Sequence, residues 1–403
     1  MKRIAITGMG SINALGAGVA AFVDGLRAGR CGIGALSLFD SAGFRSSRAA
    51  EVKELPAPAF APRAIKRRAS RTTMLALIAA HEAWRMAGIE AAVAAQAGVV
   101  LGTTTGGMAT GEEAFRRTLC SAKPSPRLSE WLETPVSAPV DTLAHAFECG
   151  GPRLTVSTAC SSSANALGIA ADWIRGGRAD TVLCGGTDSL CRMTYSGFNV
   201  LQALDREPCR PFDKDRAGLT LGEGAAVFVF EAWESAWQRG ARILGEFVSY
   251  GVSADAHHLT QPRPDGEGAM MAMRRALAEG DVAAEAIDYV NAHGTGTPLN
   301  DVVETRAIKA VLGGRAYRVP VSSTKSMIGH CLGAAGAIEA LACLLALQFR
   351  FIPPTVNLTH PDPECDLDYV PSRSRAAELR TVLSNSYGFG GNNTSLILRG
   401  YDG

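Results

Sequence analysis

A segment that occurs twice constrains this chain more than any other feature. Val156-Ser-Thr-Ala-Cys-Ser-Ser-Ser-Ala-Asn-Ala-Leu-Gly-Ile-Ala returns from Val321 as Val-Ser-Ser-Thr-Lys-Ser-Met-Ile-Gly-His-Cys-Leu-Gly-Ala-Ala. Each copy reads as an apolar strand, a Ser-rich turn and a helix of small residues. The register sets Cys160 against Lys325 and Asn165 against His330, so one scaffold carries different reactive groups at matching positions. Three further blocks pair in the same order: Gly98–Gly106 with Asp288–Gly296, Thr181–Gly186 with Thr381–Ser386, and Ala226–Phe230 with Thr394–Leu398. Corresponding blocks in one order imply two related halves rather than a chance match.

Helical patterns lie between the blocks. Residues Ser70 to Gly88 carry apolar side chains at helical spacing and stop at a glycine. Leu167–Arg175, Met270–Ala278 and Gly333–Leu347 are similar, and a helix over 231–240 closes the first half. Strands alternating with helices predict mostly parallel sheets with helices packed on them. The halves are expected at 1–240 and 241–403, packed tightly because no Pro/Ser-rich linker separates them.

Composition narrows the function. A hydrophobic fraction of 47% in 403 residues supports a large core, and a net charge of +1 excludes a globally basic nucleic-acid binder and an acidic disordered chain. None of the ten cysteines forms a Cys-x-x-Cys pair, so neither a zinc site nor a disulfide framework is expected, and a reducing cytoplasm fits. The apolar start Ile4-Ala-Ile-Thr reads as a buried strand. The apolar run 331–349 has Glu339 at its middle, which favours a helix buried in protein over a membrane span.

Three residues carry the chemistry. Cys160 sits between a strand and a helix, where free N–H groups and the helix dipole favour a thiolate and could hold an oxyanion. The other nine cysteines read as small buried hydrophobes. His293, in Asn291-Ala-His-Gly-Thr-Gly-Thr-Pro, lies on a loop after a strand, and His330 falls early in the second-half helix. The thiol and two imidazoles could hold a metal, but no neighbouring carboxylate motif supplies a fourth ligand, so no metal is expected. As paired N–H donors, two neutral imidazoles could instead stabilise an enolate oxygen. With a nucleophilic thiol and Lys325, that suggests acyl transfer with carbon–carbon bond formation.

Val156-Ser-Thr-Ala-Cys-Ser, Asn291-Ala-His-Gly-Thr-Gly-Thr-Pro, Ser323-Thr-Lys-Ser-Met-Ile-Gly-His and Asn385-Ser-Tyr-Gly-Phe-Gly-Gly-Asn-Asn together resemble the motif set of β-ketoacyl-ACP synthases. The resemblance spans essentially the whole chain and is nearest the synthase II branch and the ketosynthases of type II polyketide systems. It implies the thiolase-like α/β fold: two βαβαβαββ halves in a five-layer αβαβα arrangement, usually dimeric. It also implies that Cys160 accepts an acyl chain from acyl carrier protein, and that His293 and His330 hold the malonyl thioester oxygen while CO₂ leaves. By the same resemblance Lys325, paired with Glu339, orders the network around His330. The amides of Cys160 and Phe389 form the oxyanion hole, and Phe389 gates the pocket. Thr295 and Thr297 contact the pantetheine arm, and Thr105 limits acyl depth. No cofactor is implied beyond that arm.

Five cations crowd Arg63–Arg71 at the entry of the Ser70 helix, where the dipole disfavours positive charge. A solvated surface is the ordinary reading. An acidic partner would justify them, which makes Lys66, Arg67 and Arg68 the expected docking site for acyl carrier protein. Nucleic acid is not expected, because no aromatic residues interleave the run. Two other readings remain: a chain-length-factor-like subunit that shapes a heterodimer's pocket but lacks the nucleophilic cysteine, and a coenzyme A thiolase, which does not carry this Cys-His-His set. Tyr387 departs from the resemblance where phenylalanine is common, and Asn300 where glycine is frequent.

Overall fold

The computed structural model describes residues 2–58, 60–121 and 127–401. Its first five main strands are β1 (Ile4–Asn13), β2 (Gly98–Gly102), β3 (Arg153–Val156), β4 (Thr181–Asp188) and β5 (Gly224–Ala232). The next five are β6 (Gly245–Ala254), β7 (Tyr289–Asn291), β8 (Val321–Ser322), β9 (Thr381–Gly388) and β10 (Asn392–Arg399). Six helices pack on them: α1 (Arg71–Ala87), α2 (Ala138–Ala146), α3 (Ser162–Arg175), α4 (Glu267–Glu279), α5 (Pro298–Leu312) and α6 (Ala335–Phe349).

Across the sheet the order is β8-β7-β9-β10-β6-β1-β5-β4-β2-β3. From the centre outwards, the first half runs β1, β5, β4, β2, β3 and the second β6, β10, β9, β7, β8. Directions match as well: β2 is parallel to β3 and β4, and β4, β5 and β1 alternate. In the second half β7 is parallel to β8 and β9, and β9, β10 and β6 alternate. The four duplicated blocks therefore fall on equivalent strands. The halves join through an antiparallel pair between β1 and β6, from Ile4 opposite Phe247 to Ile6 opposite Gly245.

Strand alternation sorts the side chains into layers. Val182, Cys184 and Phe228 point into a cluster with Leu167 of α3, Ile338 and Leu341 of α6, and Val382 and Leu396 of the second half. On the far face of the first half, Val99, Leu101 and Val227 meet Leu75 and Ala79 of α1 and Leu143 of α2. On the far face of the second half, Val290, Leu383 and Ile397 meet Met273 of α4 and Ile308 of α5. This is the five-layer αβαβα stack, with α3 and α6 in the middle. Strands covered on both faces read as near-continuous apolar runs, the pattern that made them visible in the sequence. Close packing needs missing side chains: a Cβ on Gly102 would stand 2.2 Å from Ser163 N, so glycine lets α3 press against β2 just beyond Cys160.

Helix α1 follows its sequence signals, with the Ser70 hydroxyl accepting from Thr73 N and Gly88 at φ +61°. The stretch Leu332–Phe349 is long and apolar enough to cross a membrane, and it is buried in the middle layer. Three local expectations are corrected. The basic run is not the entry of α1 but a separate helix, Arg63–Arg68, with Lys66, Arg67 and Arg68 in its last turn. The dipole favours cations there, so the electrostatic reason for expecting an acidic partner falls away. The helix over 231–240 shortens to Trp233–Gln238, because Glu231 and Ala232 finish β5. The second copy of the opening segment is not one helix: a single turn, Lys325–Ile328, stops at Gly329 (φ +65°) and leaves His330 in the break before α6.

Candidate active site

Cys160 sits on a tight elbow between β3 and α3. Ala159 before it is held at φ +53°, which costs free energy for a residue with a side chain. Local hydrogen bonds hold the conformation: Ser162 Oγ accepts from Thr158 N (2.8 Å) and donates to Ala159 O (2.5 Å). Asn165, the register mate of His330, locks the elbow to the other half. Its Nδ2 donates to Thr158 Oγ1 (2.9 Å) and its Oδ1 accepts from Thr394 of β10 (2.8 Å).

His293 follows β7 on a turn held by Glu304 of α5, whose carboxylate accepts the N–H groups of His293 and Gly294, each at 2.8 Å. His330 is held by the first half, its N–H donating to Thr220 O (2.7 Å) and its carbonyl accepting from Gly222 N (2.9 Å). The break at Gly329 makes this cross-pairing possible. The two imidazoles lie edge to face, with centroids 5.4 Å apart at 86°. Both are buried, and they share a cleft of about 530 Å³, its open mouth included, with Cys160, Thr295, Tyr387 and Phe389.

The ring nitrogens are not equivalent. His330 Nδ1 accepts from the backbone N–H of Leu332 (3.0 Å), and His293 Nδ1 faces Lys325 Nζ (3.2 Å), an ammonium with protons to give. Each imidazole therefore carries its own proton on Nε2. Burial holds both far below the ordinary histidine range, and the nearby Lys325 charge lowers them further, so both are neutral. Lys325 also donates to the His293 carbonyl (2.6 Å) and to Glu339. The expected pair with Glu339 forms, and the imidazole that Lys325 contacts is that of His293. Burial raises Glu339 to about 7 against the pull of Lys325. Burial likewise pushes the Cys160 thiol up to about 11, opposed by the Lys325 charge and the Phe389 N–H. Burial therefore opposes the thiolate that the helix terminus favours.

Phe389 begins a glycine-rich turn, with Gly390 at φ +80° and Gly391 at φ +75°. Its ring stacks on Phe198 of the helix Arg192–Val200, with centroids 5.5 Å apart. Thr295 and Thr297 line the cleft, their hydroxyls 2.8 Å apart. Thr105 is elsewhere: its hydroxyl is bound to Asp188 Oδ1 (2.7 Å), and it is not part of the cleft wall. Lys66, Arg67 and Arg68 are exposed on their own short helix, with Arg68 3.6 Å from Glu133. The sequence reading missed Glu304, Phe198 and Asp188. Asp188, buried at the end of β4, accepts from the Thr103–Thr105 loop and from Gly333 N across the two halves. Its signal was a carboxylate ending an apolar strand, whereas Glu304 and Phe198 had none.

Lys325 and Glu339 form an ion pair buried on both sides. Replacing Lys325 with alanine leaves an unpaired buried carboxylate, expected to destabilise the fold by about 3–5 kcal/mol. Urea unfolding of the two proteins measures this, and an unchanged midpoint would contradict it.

Two family models cover the chain: the beta-ketoacyl synthase N-terminal domain over residues 1–236 and the C-terminal domain over 244–359. The chain belongs to the beta-ketoacyl synthase family. It is a condensing acyltransferase of fatty-acid or polyketide elongation. It is 41% identical to the 3-oxoacyl-[acyl-carrier-protein] synthase 2 of Synechocystis over 99% of this chain and 98% of that one. It is 40% identical to the ketoacyl synthase alpha subunit of the tetracenomycin polyketide synthase of Streptomyces glaucescens, over 98% and 97% of the two chains. Among solved structures, the ishigamide ketosynthase/chain length factor superposes with a TM-score of 0.95 at 37% identity, covering 99% of both chains. A beta-ketoacyl synthase from Burkholderia phymatum reaches 0.92 at 34%, covering 100% of both. These thiolase-like neighbours agree with the five-layer architecture.

Proposed function

We propose that this β-ketoacyl synthase joins an acyl chain held on Cys160 to the two-carbon unit of a malonyl thioester carried by acyl carrier protein. One observation carries the assignment of roles. Both imidazoles accept at Nδ1, so both present an Nε2–H to the cleft that contains the thiol.

In the first step the Cys160 sulfur attacks the acyl thioester, and the carrier's thiol departs with the proton Cys160 gives up. The amide N–H groups of Cys160 and Phe389 hold the transient oxyanion. In the second step the malonyl thioester carbonyl lies between His293 and His330. CO₂ leaves, and the electrons of the broken bond become an enolate held by the two N–H donors. Its carbon attacks the Cys160 thioester. Cys160 leaves as a thiolate and regains a proton, and the product is a 3-oxoacyl chain two carbons longer. Lys325 is a positioning residue that fixes the His293 tautomer, with Glu339 as its counter-ion. Phe389, hinged between glycines, separates the acyl and malonyl ends. Thr295 and Thr297 border the pantetheine arm, and residues 1–240 and 241–403 contribute the nucleophile and the malonyl side respectively.

The chemistry closes with side chains alone, so no cofactor beyond pantetheine is needed. Ten free cysteines suit a reducing cytoplasm. A second subunit, either another copy or a chain-length-factor-like relative, fits the neighbours solved as ketosynthase–chain length factor pairs. The silent-subunit reading is disfavoured because Cys160, His293 and His330 converge in one cleft. Incubation with acyl- and malonyl-loaded carrier protein should give the 3-oxoacyl carrier protein by intact mass. No elongated product, alone or with a co-expressed relative, would overturn the function.

Lys66 and Arg67, exposed and with no acidic side chain paired among the described residues, are the docking candidates. Arg68 is partly committed to Glu133. Reversing Lys66 and Arg67 to glutamate should raise the KM for acyl carrier protein severalfold at low salt and much less at 0.5 M NaCl. A KM indifferent to both changes would reject this docking site.

A further inference from the structure

Away from the catalytic cleft, four arginines meet at one concavity whose wall holds no acidic residue. Arg242, Arg350, Arg380 and Arg399 line a groove of about 1420 Å³, its open mouth included. Strands β9 and β10 connect the two places: Tyr387 and Asn393 lie at the cleft, and Arg380 and Arg399 at the opposite strand ends in the groove. The buried side chains of Leu244, Leu347 and Leu379 give the groove an apolar floor, and Phe349 and Tyr401 add two rings to its wall.

Little in the protein answers these charges. Arg242 and Arg380 are exposed, and neither guanidinium has a hydrogen bond or an acidic partner among the described residues. Arg350 meets Glu378 at 3.3 Å, but the two side chains are 62% and 77% exposed, and such a surface pair contributes little. Arg399 stands 3.7 Å from Glu246, whose carboxylate already accepts two hydrogen bonds from Arg3 (2.8 and 2.9 Å). The carbonyl end of α6 favours a cation, which accounts for Arg350 at its C-cap. It does not account for the other three, which arrive from separate segments. Cations converging on a concave, partly apolar wall raise the local positive potential and favour an anion there.

We propose that this groove is a binding site for the diphosphate of a small nucleotide. A guanidinium presents a planar fork of N–H donors that matches phosphate oxygens two at a time. A diphosphate has enough anionic oxygens to engage several forks at once, which a single carboxylate does not. The apolar floor and the rings of Phe349 and Tyr401 give the uncharged part of such a ligand a surface to lie on. A folded acidic partner is the competing occupant, and the concave shape favours the small molecule over it. None of these residues lines the catalytic cleft, so binding here is independent of the condensation chemistry.

Calorimetric titration of the full chain with ADP tests this, because ADP carries the diphosphate but no pantetheine arm that could enter the cleft. One site should appear with a Kd below about 100 μM. The double variant Arg242→Ala, Arg380→Ala should weaken it at least about tenfold, and about 0.5 M NaCl should weaken the wild type as well. Both side chains are exposed, so the variant should keep its melting temperature and its condensation rate without nucleotide. Inorganic pyrophosphate separates the sources: competition at matching affinity assigns the site to the phosphates alone, and tighter binding of ADP adds the nucleoside. No heat from either probe at about 1 mM, or equal ADP binding by wild type and double variant, would overturn the site. A KM for acyl carrier protein raised by the double variant would overturn it too, by giving the arginines to the carrier.

Discussion

Cys160→Ala should end acyl transfer while sparing malonyl decarboxylation. Intact mass after incubation with acyl carrier protein should show one acyl adduct on the wild type and none on the variant, with condensation lowered by at least about a thousandfold. The reason is positional. The elbow conformation is set by the backbone at Ala159 and by Ser162 and Asn165, none of which needs the sulfur. Removing Sγ therefore deletes the nucleophile and keeps the site. The His293–His330 pair, built from other elements, should still accept a malonyl thioester and release CO₂. An undiminished adduct in Cys160→Ala would transfer the nucleophile to another cysteine, and none of the other nine lines the cleft.

The second large effect is the mirror image. His293→Ala and His330→Ala should load the acyl chain at near-normal rates and lose malonyl decarboxylation by about 10²–10³-fold each, the usual loss for one donor to a developing oxyanion. The orientation of the imidazoles explains the selectivity: their Nδ1 atoms are occupied by Lys325 and by the Leu332 amide, so only the Nε2–H groups are available to a substrate. Asparagine at position 330 can present an N–H of its own and should recover part of the rate, whereas a purely structural histidine would show no such rescue. Normal CO₂ release by both alanine variants would remove the pair from the mechanism.

Much of this site was legible in the residues. Cys160 stood out because a strand–turn–helix segment was repeated with a different reactive group in each copy. The histidines stood out because each closed a block. Three features were not legible, and each depends on contacts between residues distant in the chain. Lys325 turns to His293 rather than His330 because folding brings the β7 turn onto the single helical turn after β8. Thr105, which by resemblance limits acyl depth, has its hydroxyl tied to a buried carboxylate at the end of β4. The helix terminus at Cys160 favours a thiolate and burial opposes it, since desolvation depends on what all the other layers cover.

The two-fold architecture is written in the chain's local pattern. Its duplicated apolar runs set which strands are equivalent, and its small-residue helices together with strand glycines such as Gly102 set how closely helix and sheet could pack. That pattern also set which side chains were available for chemistry. How they act depends on the folded arrangement. It set the tautomers through Lys325 and the Leu332 amide and placed His330 under the control of Thr220 and Gly222 in the opposite half. Composition and spacing are local properties, whereas hydrogen-bond direction and burial arise when the two halves close on each other.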